Sequence, residues 1–485
     1  MKRLIGFFCI LLALSMLLPS CTKKSGDDDY DHAADFTEED GEIYQSVPQE
    51  RYKGYEFCIL NARASTSASL MDADTVVGDS LNEALLHRNF NVEERLDVEI
   101  SEVVDTPKKV FDTAVSAVLS GEDTYDAVCN SADYMATMAV CGYLVTDLDL
   151  PGLDLTKPWW NDEAVSSACV DDARFFFFGD IQLSYFDAHS MVGVNMDMVS
   201  DISGMPDPYT LVDRGQWTVD EMTRMMAMAD SDLDGNGTLT WEDRYGAALD
   251  KTGVISLIVG CNSYISTKDE YGLPELSCFT DEKLYDVFSL ISDSLYSRQE
   301  YIYDTVKNEA DGMSAAAMFK NGHSLFHITT VGELANLRTM EYEFGVLPMP
   351  KYSESQTDYV SLIYASDATA LGVMKTSRDL KRTATVLENL AAESHREKGI
   401  RKCYVDSVLS FVYLNDEKSR KNLDIILGAG VFEPGQIYGW GGICEKLTEI
   451  AGKKDVYSSS LASVRIKAIS DVSDTIEEVN RHRNK

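Results

Sequence analysis

The chain has 485 residues, and its 80 acidic residues outnumber its 43 basic residues, which gives a formal net charge of −37. A polyanion of this size is repelled by nucleic acid and by anionic lipid, so both are poor partners. Hydrophobic residues make up 45% of the chain, as in ordinary globular proteins, and the length is sufficient for two or three domains.

The N-terminus has the pattern of a secretory signal. Two basic residues follow Met1 and precede an apolar run at 4–18, which is shorter than the roughly 20 residues of a membrane-spanning helix. The Leu-Pro-Ser-Cys sequence at its end resembles the bacterial lipobox. We therefore predict a signal peptide at 1–20 and a lipid on Cys21 as the only link to the membrane, at its extracellular face. An ordinary secretory peptide with a chance cysteine is the alternative.

The segment that follows, 21–50, is crowded with Asp and Glu and has few apolar residues. Such a segment repels itself and cannot bury enough surface to offset the entropy lost on ordering. We predict a disordered acidic tether that lifts the folded part away from the membrane.

Cysteine spacing gives no support for disulfides or zinc. Of ten cysteines, Cys9 lies in the signal and Cys21 is predicted to be acylated. None of the others forms a CxxC pair or lies near a histidine at zinc spacing, and Cys58 lies within an apolar run. Because free cysteine packs as a small hydrophobe, we predict buried thiols.

Short apolar runs then alternate with runs of helical spacing. The predicted strands are 55–60, 98–103, 125–128, 191–194 and 344–347, and the predicted helices are 81–96, 110–119 and 462–479. Two further runs, 359–365 and 368–373, predict a strand pair. Strand, helix and strand in this order predict an α/β fold in which crossover helices join parallel strands.

One segment, 232–243, has the spacing of an EF-hand calcium loop. Oxygen-bearing side chains fall at positions 1, 3, 5 and 12, a glycine falls at 6, and a backbone carbonyl is expected to bind at 7. The predicted ligands are Asp232, Asp234, Asn236, Thr238 and Asp243. A structural Ca²⁺ would offset the repulsion among three carboxylates. Position 12 is Asp rather than the usual Glu, so its side chain reaches less far toward the ion. Glu242 is a possible substitute ligand. The alternative to a calcium site is a solvated acidic turn.

Several motifs occur in a characteristic order. They are Lys-Pro-Trp-Trp-Asn at 157–161, Gly-Asp at 179–180, Val-Asn at 194–195, Trp-Thr-Val-Asp-Glu at 217–221 and Phe-Gly-Val-Leu-Pro-Met-Pro-Lys at 344–351. With the lipobox in front, this order resembles the extracellular solute-binding proteins of bacterial ABC importers (family 1), the class that includes maltose-binding protein.

The resemblance implies a type 2 periplasmic-binding-protein fold, in which two α/β lobes joined by a hinge enclose a small solute, commonly a carbohydrate, at the carboxyl ends of strands. It implies ABC permease subunits as partners, a monomer, and no catalytic residues. The bounds we expect are 51–155 and 351–400 for lobe I, 156–350 for lobe II, and 401–485 for C-terminal helices that belong mainly to lobe II.

Sugars are bound by aromatic faces and by planar carboxylates or amides. Trp159 and Trp160 are the first predicted ligand contacts, and Trp440, which lies between glycines, is the second. Asp133, with Ser131, follows a strand end, where the resemblance places a carboxylate that binds hydroxyls. Core packing is the alternative for the tryptophans, and helix capping is the alternative for Ser131 and Asp133.

Tyr185 and Asp187 lie near the expected hinge and complete the predicted ligand contacts. His327, followed by Thr329 and Thr330, is a weaker prediction of the same kind. Core packing is the alternative for Tyr185 and for His327.

The sequence lacks the nucleophile, zinc-protease, phosphate-loop and dinucleotide motifs of common enzymes, and no carboxylate pair is singled out for glycoside hydrolysis. We therefore predict a binding protein. The alternatives are an exported glycan-degrading lipoprotein and a surface adhesion or sensor lipoprotein.

Overall fold

The computed structural model describes residues 38–63, 80–249, 253–298, 302–304 and 312–483. The predicted signal peptide and the lipidated Cys21 lie outside these ranges. Residues 46–485 form one compact unit. None of the helices within the described ranges combines the length and the apolar character needed to cross a membrane.

Thirteen strands are described. They are β1 (Tyr55–Ala62), β2 (Val98–Asp105), β3 (Ala127–Ser131), β4 (Ser190–Asn195), β5 (Tyr245–Leu249), β6 (Thr267–Lys268), β7 (Pro274–Glu275), β8 (Ile302–Asp304), β9 (Ser324–Thr330), β10 (Phe344–Leu347), β11 (Ser361–Leu362), β12 (Thr369–Val373) and β13 (Gly430–Val431).

The α-helices are distributed along the whole described chain. They are Glu38–Ser46, Ser80–Leu96, Pro107–Ser120, Ala132–Val140, Asp162–Ala168, Ser184–Asp187, Met196–Asp201, Pro208–Asp213, Val219–Ala229, Gly253–Gly260, Glu282–Ile291, Ala315–Lys320, Leu334–Leu337, Leu380–His395, Ile400–Lys402, Glu417–Gly428, Pro434–Ile437, Ile443–Glu449 and Tyr457–Arg483. Two π-helical stretches, Ser292–Tyr296 and Cys403–Tyr413, follow the helices that end at 291 and 402.

The structure shortens the predicted tether. Residues Glu38–Ser46 form a helix, and Val47 is buried. The Pro48 carbonyl accepts a hydrogen bond of 2.8 Å from Asn389 Nδ2. Tertiary contacts therefore order residues 47 and 48, at the end of the predicted tether.

The first lobe is built on a sheet with strand order β12-β3-β1-β2. The first three strands along the chain are parallel, and β12 is antiparallel to β3. The helix Ser80–Leu96 buries Leu81, Leu85 and Val92 at the predicted spacing. Pro107 starts the next helix, which ends before Gly121 in a left-handed conformation. The predicted strand-helix-strand order is thus confirmed here.

The second lobe is built on a sheet with strand order β10-β4-β9-β5-β8. Strand β5 is parallel to β8 and β9, while β4 is antiparallel to β9 and β10. Its core includes Trp217, whose indole N–H donates to the Pro348 carbonyl at 2.9 Å. Thr218 caps the next helix by accepting the Glu221 backbone N–H at 3.3 Å. The Trp-Thr-Val-Asp-Glu motif therefore marks the start of a helix.

The chain crosses between the sheets more than once, and two predicted details need correction. Strands β11 and β12 do not pair with each other, because β11 pairs with β13 and β12 pairs with β3. Phe177 still pairs with Leu371 of the first sheet, and the second sheet begins at Ser190. The first crossing therefore lies after 177 rather than at 156.

The C-terminal helix Tyr457–Arg483 contacts both lobes. Tyr457 packs against Phe288 of the second lobe with ring centroids 5.0 Å apart. At the other end, Arg483 Nη1 donates to the Asp171 carbonyl at 2.9 Å. The contacts at its two ends reach both lobes, so its assignment mainly to the second lobe was too narrow.

All eight cysteines within the described ranges are free. Five are buried, Cys58 and Cys403 are half-buried, and Cys141 is exposed. Burial raises the pKa of the Cys129 and Cys261 thiols to about 12, so both remain protonated at neutral pH. The expectation of buried thiols is confirmed for most of them.

Candidate functional site

A cavity of about 770 Å³ lies where segments of the two lobes meet. Its size falls within the range of about 300–1,000 Å³ typical of small-molecule sites. From the second lobe, Thr329 and Thr330 contribute from the carboxyl end of β9. Tyr364 and Asp367 contribute from the turn that leads into β12 of the first sheet. We call this cavity the cleft.

Most of the residues that line the cleft have polar side chains. It consists of Gly253, Ile255, Ser314, Ala315, Ala316, His327, Ile328, Thr329, Thr330, Glu333, Tyr364, Ser366, Asp367, Gln436, Cys444, Glu445, Thr448 and Glu449. Hydroxyl, amide and carboxylate groups can form hydrogen bonds with a polar solute, and the ring of Tyr364 offers an apolar face.

The turn that carries Asp367 is held from several sides. The backbone N–H of Ala132, directly after β3, donates to the carbonyls of Ala365 and Ala368 at 2.9 and 3.0 Å. Gln436 Oε1 accepts the Ala365 N–H at 3.1 Å. These bonds fix the Asp367 backbone relative to the first sheet, which is the kind of preorganisation that a binding group requires.

Ser131 and Asp133 lie next to this turn. Ser131 is buried and its hydroxyl donates to the Asp133 carboxylate, which also accepts the Tyr134 N–H at 2.9 Å. Partial desolvation by the walls of the cleft, reinforced by the negative charge of Asp133, raises the pKa of the Asp367 carboxyl. Neither Ser131 nor Asp133 lines the cleft, but Asp133 lies within electrostatic reach of Asp367.

The tryptophan pair lies away from the cleft. Trp159 and Trp160 are both buried, and their indole N–H groups donate to the two oxygens of the Glu388 carboxylate at 2.9 and 3.0 Å. Burial raises the pKa of Glu388 to about 7. The pair is thus fixed in the first lobe by a residue 228 positions later, and core packing replaces the predicted cleft contact.

Trp440 is also a core residue in this structure. Its side chain is 1% exposed, and its indole N–H donates to Thr475 Oγ1 at 3.0 Å. The ring stacks on Tyr438 with centroids 5.1 Å apart. The flanking glycines serve the backbone turn rather than access to the ring, so the predicted stacking on a ligand is corrected to stacking within the core.

Tyr185 and Trp160 line a second cavity of about 400 Å³. The Tyr185 hydroxyl accepts a hydrogen bond of 2.6 Å from Asn161 Nδ2. In the same wall, Asp180 is paired with His395 Nδ1 at 2.5 Å and with Arg401 Nε at 3.2 Å. This second cavity therefore contains paired charges and lies apart from the cleft.

Asp187 is half-buried and is not part of the cleft lining. It accepts a hydrogen bond from the Tyr404 hydroxyl, and burial raises its pKa to about 7. Tyr185 and Asp187 therefore have hydrogen-bond partners within the protein, and neither residue lines the cleft.

No protein-family model matches the sequence, and no curated protein matches it either. Solved structures do match in fold. CpMnBP1 with mannotriose bound aligns over 85% of this chain and 100% of its own, with 14% identity and a TM-score of 0.56. UgpB from Mycobacterium tuberculosis in complex with glycerophosphocholine aligns over 88% and 100%, with 14% identity and a TM-score of 0.55.

A third match is an ABC substrate-binding protein from Listeria monocytogenes in complex with cycloalternan. It aligns over 89% of this chain and 99% of its own, with 12% identity and a TM-score of 0.52. The chain has the two-lobed fold of the ABC substrate-binding proteins. At these identities the matches establish the fold.

Within the substrate-binding-protein fold, sequence reasoning found some cleft residues and missed others. His327, Thr329 and Thr330 line the cleft, although they were the weakest predictions. Asp367 and Glu333 were missed because neither lies in a motif. The only local signal is a polar turn between two predicted strands for Asp367, which sequence alone does not distinguish from an ordinary loop.

The predicted calcium loop brings its carboxylates together. Ligand atoms of Asp232, Asp234 and Asp243 all lie within 4.8 Å of one another. Gly235 and Gly237 have φ of 71° and 81°, which lets the backbone turn sharply around this point. Clustered hard oxygen donors are the set that calcium prefers, so the loop fits the predicted ion.

The remaining predicted ligands support the loop from within. Asn236 Oδ1 accepts the Thr238 N–H at 2.7 Å. Asp243 is buried and accepts the backbone N–H groups of Thr240 at 2.7 Å and Leu233 at 2.9 Å, which lowers its pKa. Asp243 therefore stays ionised at neutral pH and closes the loop.

Proposed function

We propose that the chain is the lipid-anchored, extracellular solute-binding component of an ABC importer, and that it binds a carbohydrate between its lobes without altering it. The observation that carries this proposal is the cleft between two α/β lobes of the substrate-binding-protein fold, most of whose lining residues have polar side chains. Hinge closure around a solute in such a cleft gives the permease subunits a closed form to recognise.

The cleft chemistry favours a polyhydroxylated solute. Hydroxyls of Thr329, Thr330 and Ser366 and the amide of Gln436 supply donors and acceptors around one cavity. Tyr364 supplies an aromatic ring, which can pack on the C–H face of a sugar. Two of the matched structures contain the saccharides mannotriose and cycloalternan, and a third contains glycerophosphocholine.

Anchoring through Cys21 and location outside the cytoplasmic membrane belong to the same proposal, and their support is the lipobox-like sequence. We also infer that the protein acts as a monomer, since one chain supplies both walls of the cleft. Mass spectrometry of the membrane-extracted protein tests the lipid directly: a mature chain that begins at Cys21 with diacylglycerol is expected, and an unmodified N-terminus would contradict it.

Calorimetry with a panel of oligosaccharides tests the binding function. We expect one molecule bound per chain, recovery of the ligand unchanged, and an increase in melting temperature at saturation. Tyr364→Ala is expected to weaken binding by about tenfold, from loss of an aromatic contact. Tyr271→Ala is the matched control, because Tyr271 is 71% exposed and does not line the cleft.

The alternatives predict different results. An exported glycan-degrading lipoprotein would release shorter products during the incubation. An adhesion or sensor lipoprotein would bind its glycan but would not support uptake when the permease is present. Absence of binding to every saccharide in the panel would overturn the carbohydrate assignment.

Calcium binding by the loop 232–243 is a separate proposal. Its support is the convergence of Asp232, Asp234 and Asp243 together with the two left-handed glycines. The ion would neutralise the three carboxylates and stabilise the second lobe, with no part in solute chemistry.

A further inference from the structure

The charged residues of the cleft are all of one sign. Glu333, Asp367, Glu445 and Glu449 line it, and none of the described lining residues is Lys or Arg. Over the whole chain, 43 basic residues accompany 80 acidic ones, so a patch with four carboxylates would carry about two cations if it were average surface. The cleft is therefore depleted in cations beyond the general acidity of the protein.

Most of these carboxylates have no cationic partner in the described part of the chain. Glu449 pairs with Lys446 at 2.5 Å. Glu333 accepts only the Asn336 side chain at 3.3 Å, and Asp367 accepts only the Ser366 hydroxyl at 3.3 Å. Both residues line the cleft, and a carboxylate can accept more than one hydrogen bond, so each has acceptor capacity left for a solute.

The carboxylates come from different lobes. Glu333 follows β9 of the second sheet, and Asp367 precedes β12 of the first, with Asp133 close to it. Closing the lobes on an uncharged solute would bring like charges together in a space from which water is expelled, where repulsion is stronger than in bulk water. A positive charge on the solute would turn this repulsion into attraction from both walls.

We propose that the carbohydrate bound in the cleft carries at least one protonated amine, and that Asp367 and Glu333 bind this ammonium group from the two lobes. This inference rests on the proposed carbohydrate-binding function and names the class of its solute. The hydroxyls of the sugar meet Thr329, Thr330 and Gln436, while the amine meets the carboxylates. His327 is the only lining residue that can become cationic, and it is 5% exposed.

The test compares two saccharides that differ only in charge: a trimer of glucosamine and the same trimer with every amine acetylated. Calorimetry at neutral pH and low salt is expected to give an affinity for the amine form at least about tenfold higher, the order expected for a charged hydrogen bond. Added salt is expected to reduce this ratio, because the attraction is partly screened.

Asp367→Asn and Glu333→Gln are each expected to reduce the ratio toward one. Asp286→Asn is the matched control, because Asp286 is exposed on the helix Glu282–Ile291 and does not line the cleft. Thermal melting of each variant shows whether it is folded, and two independent variants keep the test decisive if one is not.

The outcomes separate the two proposals. If the acetylated trimer binds as tightly as the amine form, or if both carboxylate variants leave the ratio unchanged, the inference of a cationic solute is wrong while carbohydrate binding stands. If neither trimer nor any other saccharide binds and a polyamine such as spermidine does, the carbohydrate function itself is wrong.

Discussion

Two acidic regions of the molecule differ in how their carboxylates are satisfied. In the loop 232–243, Asp232 and Asp243 each accept two backbone N–H groups from the same loop. In the cleft, Asp367 and Glu333 each accept one side-chain hydrogen bond at 3.3 Å. The loop carboxylates thus stabilise their own backbone, whereas the cleft carboxylates keep most of their acceptor capacity for a solute.

The largest expected effect tests whether the tryptophan pair is separate from the cleft. Glu388→Ala leaves the buried indole N–H groups of Trp159 and Trp160 without an acceptor. At about 1–3 kcal/mol for each orphaned donor, we expect the free energy of unfolding to fall by roughly 2–6 kcal/mol. Urea titration measures this loss.

Glu388→Gln is the matched variant, because its amide retains one oxygen acceptor. It is expected to lose less stability than Glu388→Ala and to bind the saccharide with unchanged affinity once folded. A Glu388→Gln protein that is stable but fails to bind would place the tryptophans in the binding site after all.

The next largest effect tests calcium binding by the loop 232–243. Adding Ca²⁺ at about 100 times its Kd is expected to raise the free energy of unfolding by about 2.7 kcal/mol. Asp232→Ala removes one of the three clustered carboxylates and is expected to abolish this gain. Thermal melts with calcium and with a chelator measure the difference.

Glu242→Gln serves as the control for the calcium test. It lies beside Asp243 in the loop but outside the cluster of three carboxylates. Retention of the full calcium effect is expected in this variant. Loss of the effect would move the twelfth ligand from Asp243 to Glu242, and an unchanged melt of the native chain would contradict calcium binding.

The smallest effects are expected when one aspartate in each region is replaced by asparagine. Asp243→Asn weakens charge-assisted bonds to two backbone N–H groups, so we expect a loss of about 1–3 kcal/mol without calcium. Asp367→Asn removes an exposed charge that is close to Asp133, so we expect a change within about 0.5 kcal/mol. Equal losses in the free energy of unfolding of the two variants would contradict the view that only the loop carboxylates stabilise their own backbone.

The pH dependence of these two variants has opposite signs. The lowered pKa of Asp243 means that its ionised form stabilises the fold, and this contribution disappears as pH falls from 3.8 through the lowered value. The raised pKa of Asp367 means that ionisation opposes folding, so its contribution falls as pH rises from 3.8 through the raised value. Unfolding titrations of each variant against the native chain, across acidic pH, measure both slopes.

The sequence alone determined what depends on neighbouring residues. The alternation of strands and helices before residue 131 and the twelve-residue acidic loop both follow from spacing, since backbone periodicity and loop closure are local. The same reasoning missed the partners of the tryptophans, because Glu388 lies more than 220 positions away.

Only the tertiary structure decided which residues form the cleft. Glu333, Asp367 and Glu445 come from three separate segments, and each looks like an ordinary solvated charge in its own segment. The chain crosses between two sheets and so brings these carboxylates around one cavity. None of the described residues that line this cavity is Lys or Arg. Electrostatic interaction depends on distance in space, and no local pattern of residues records that distance.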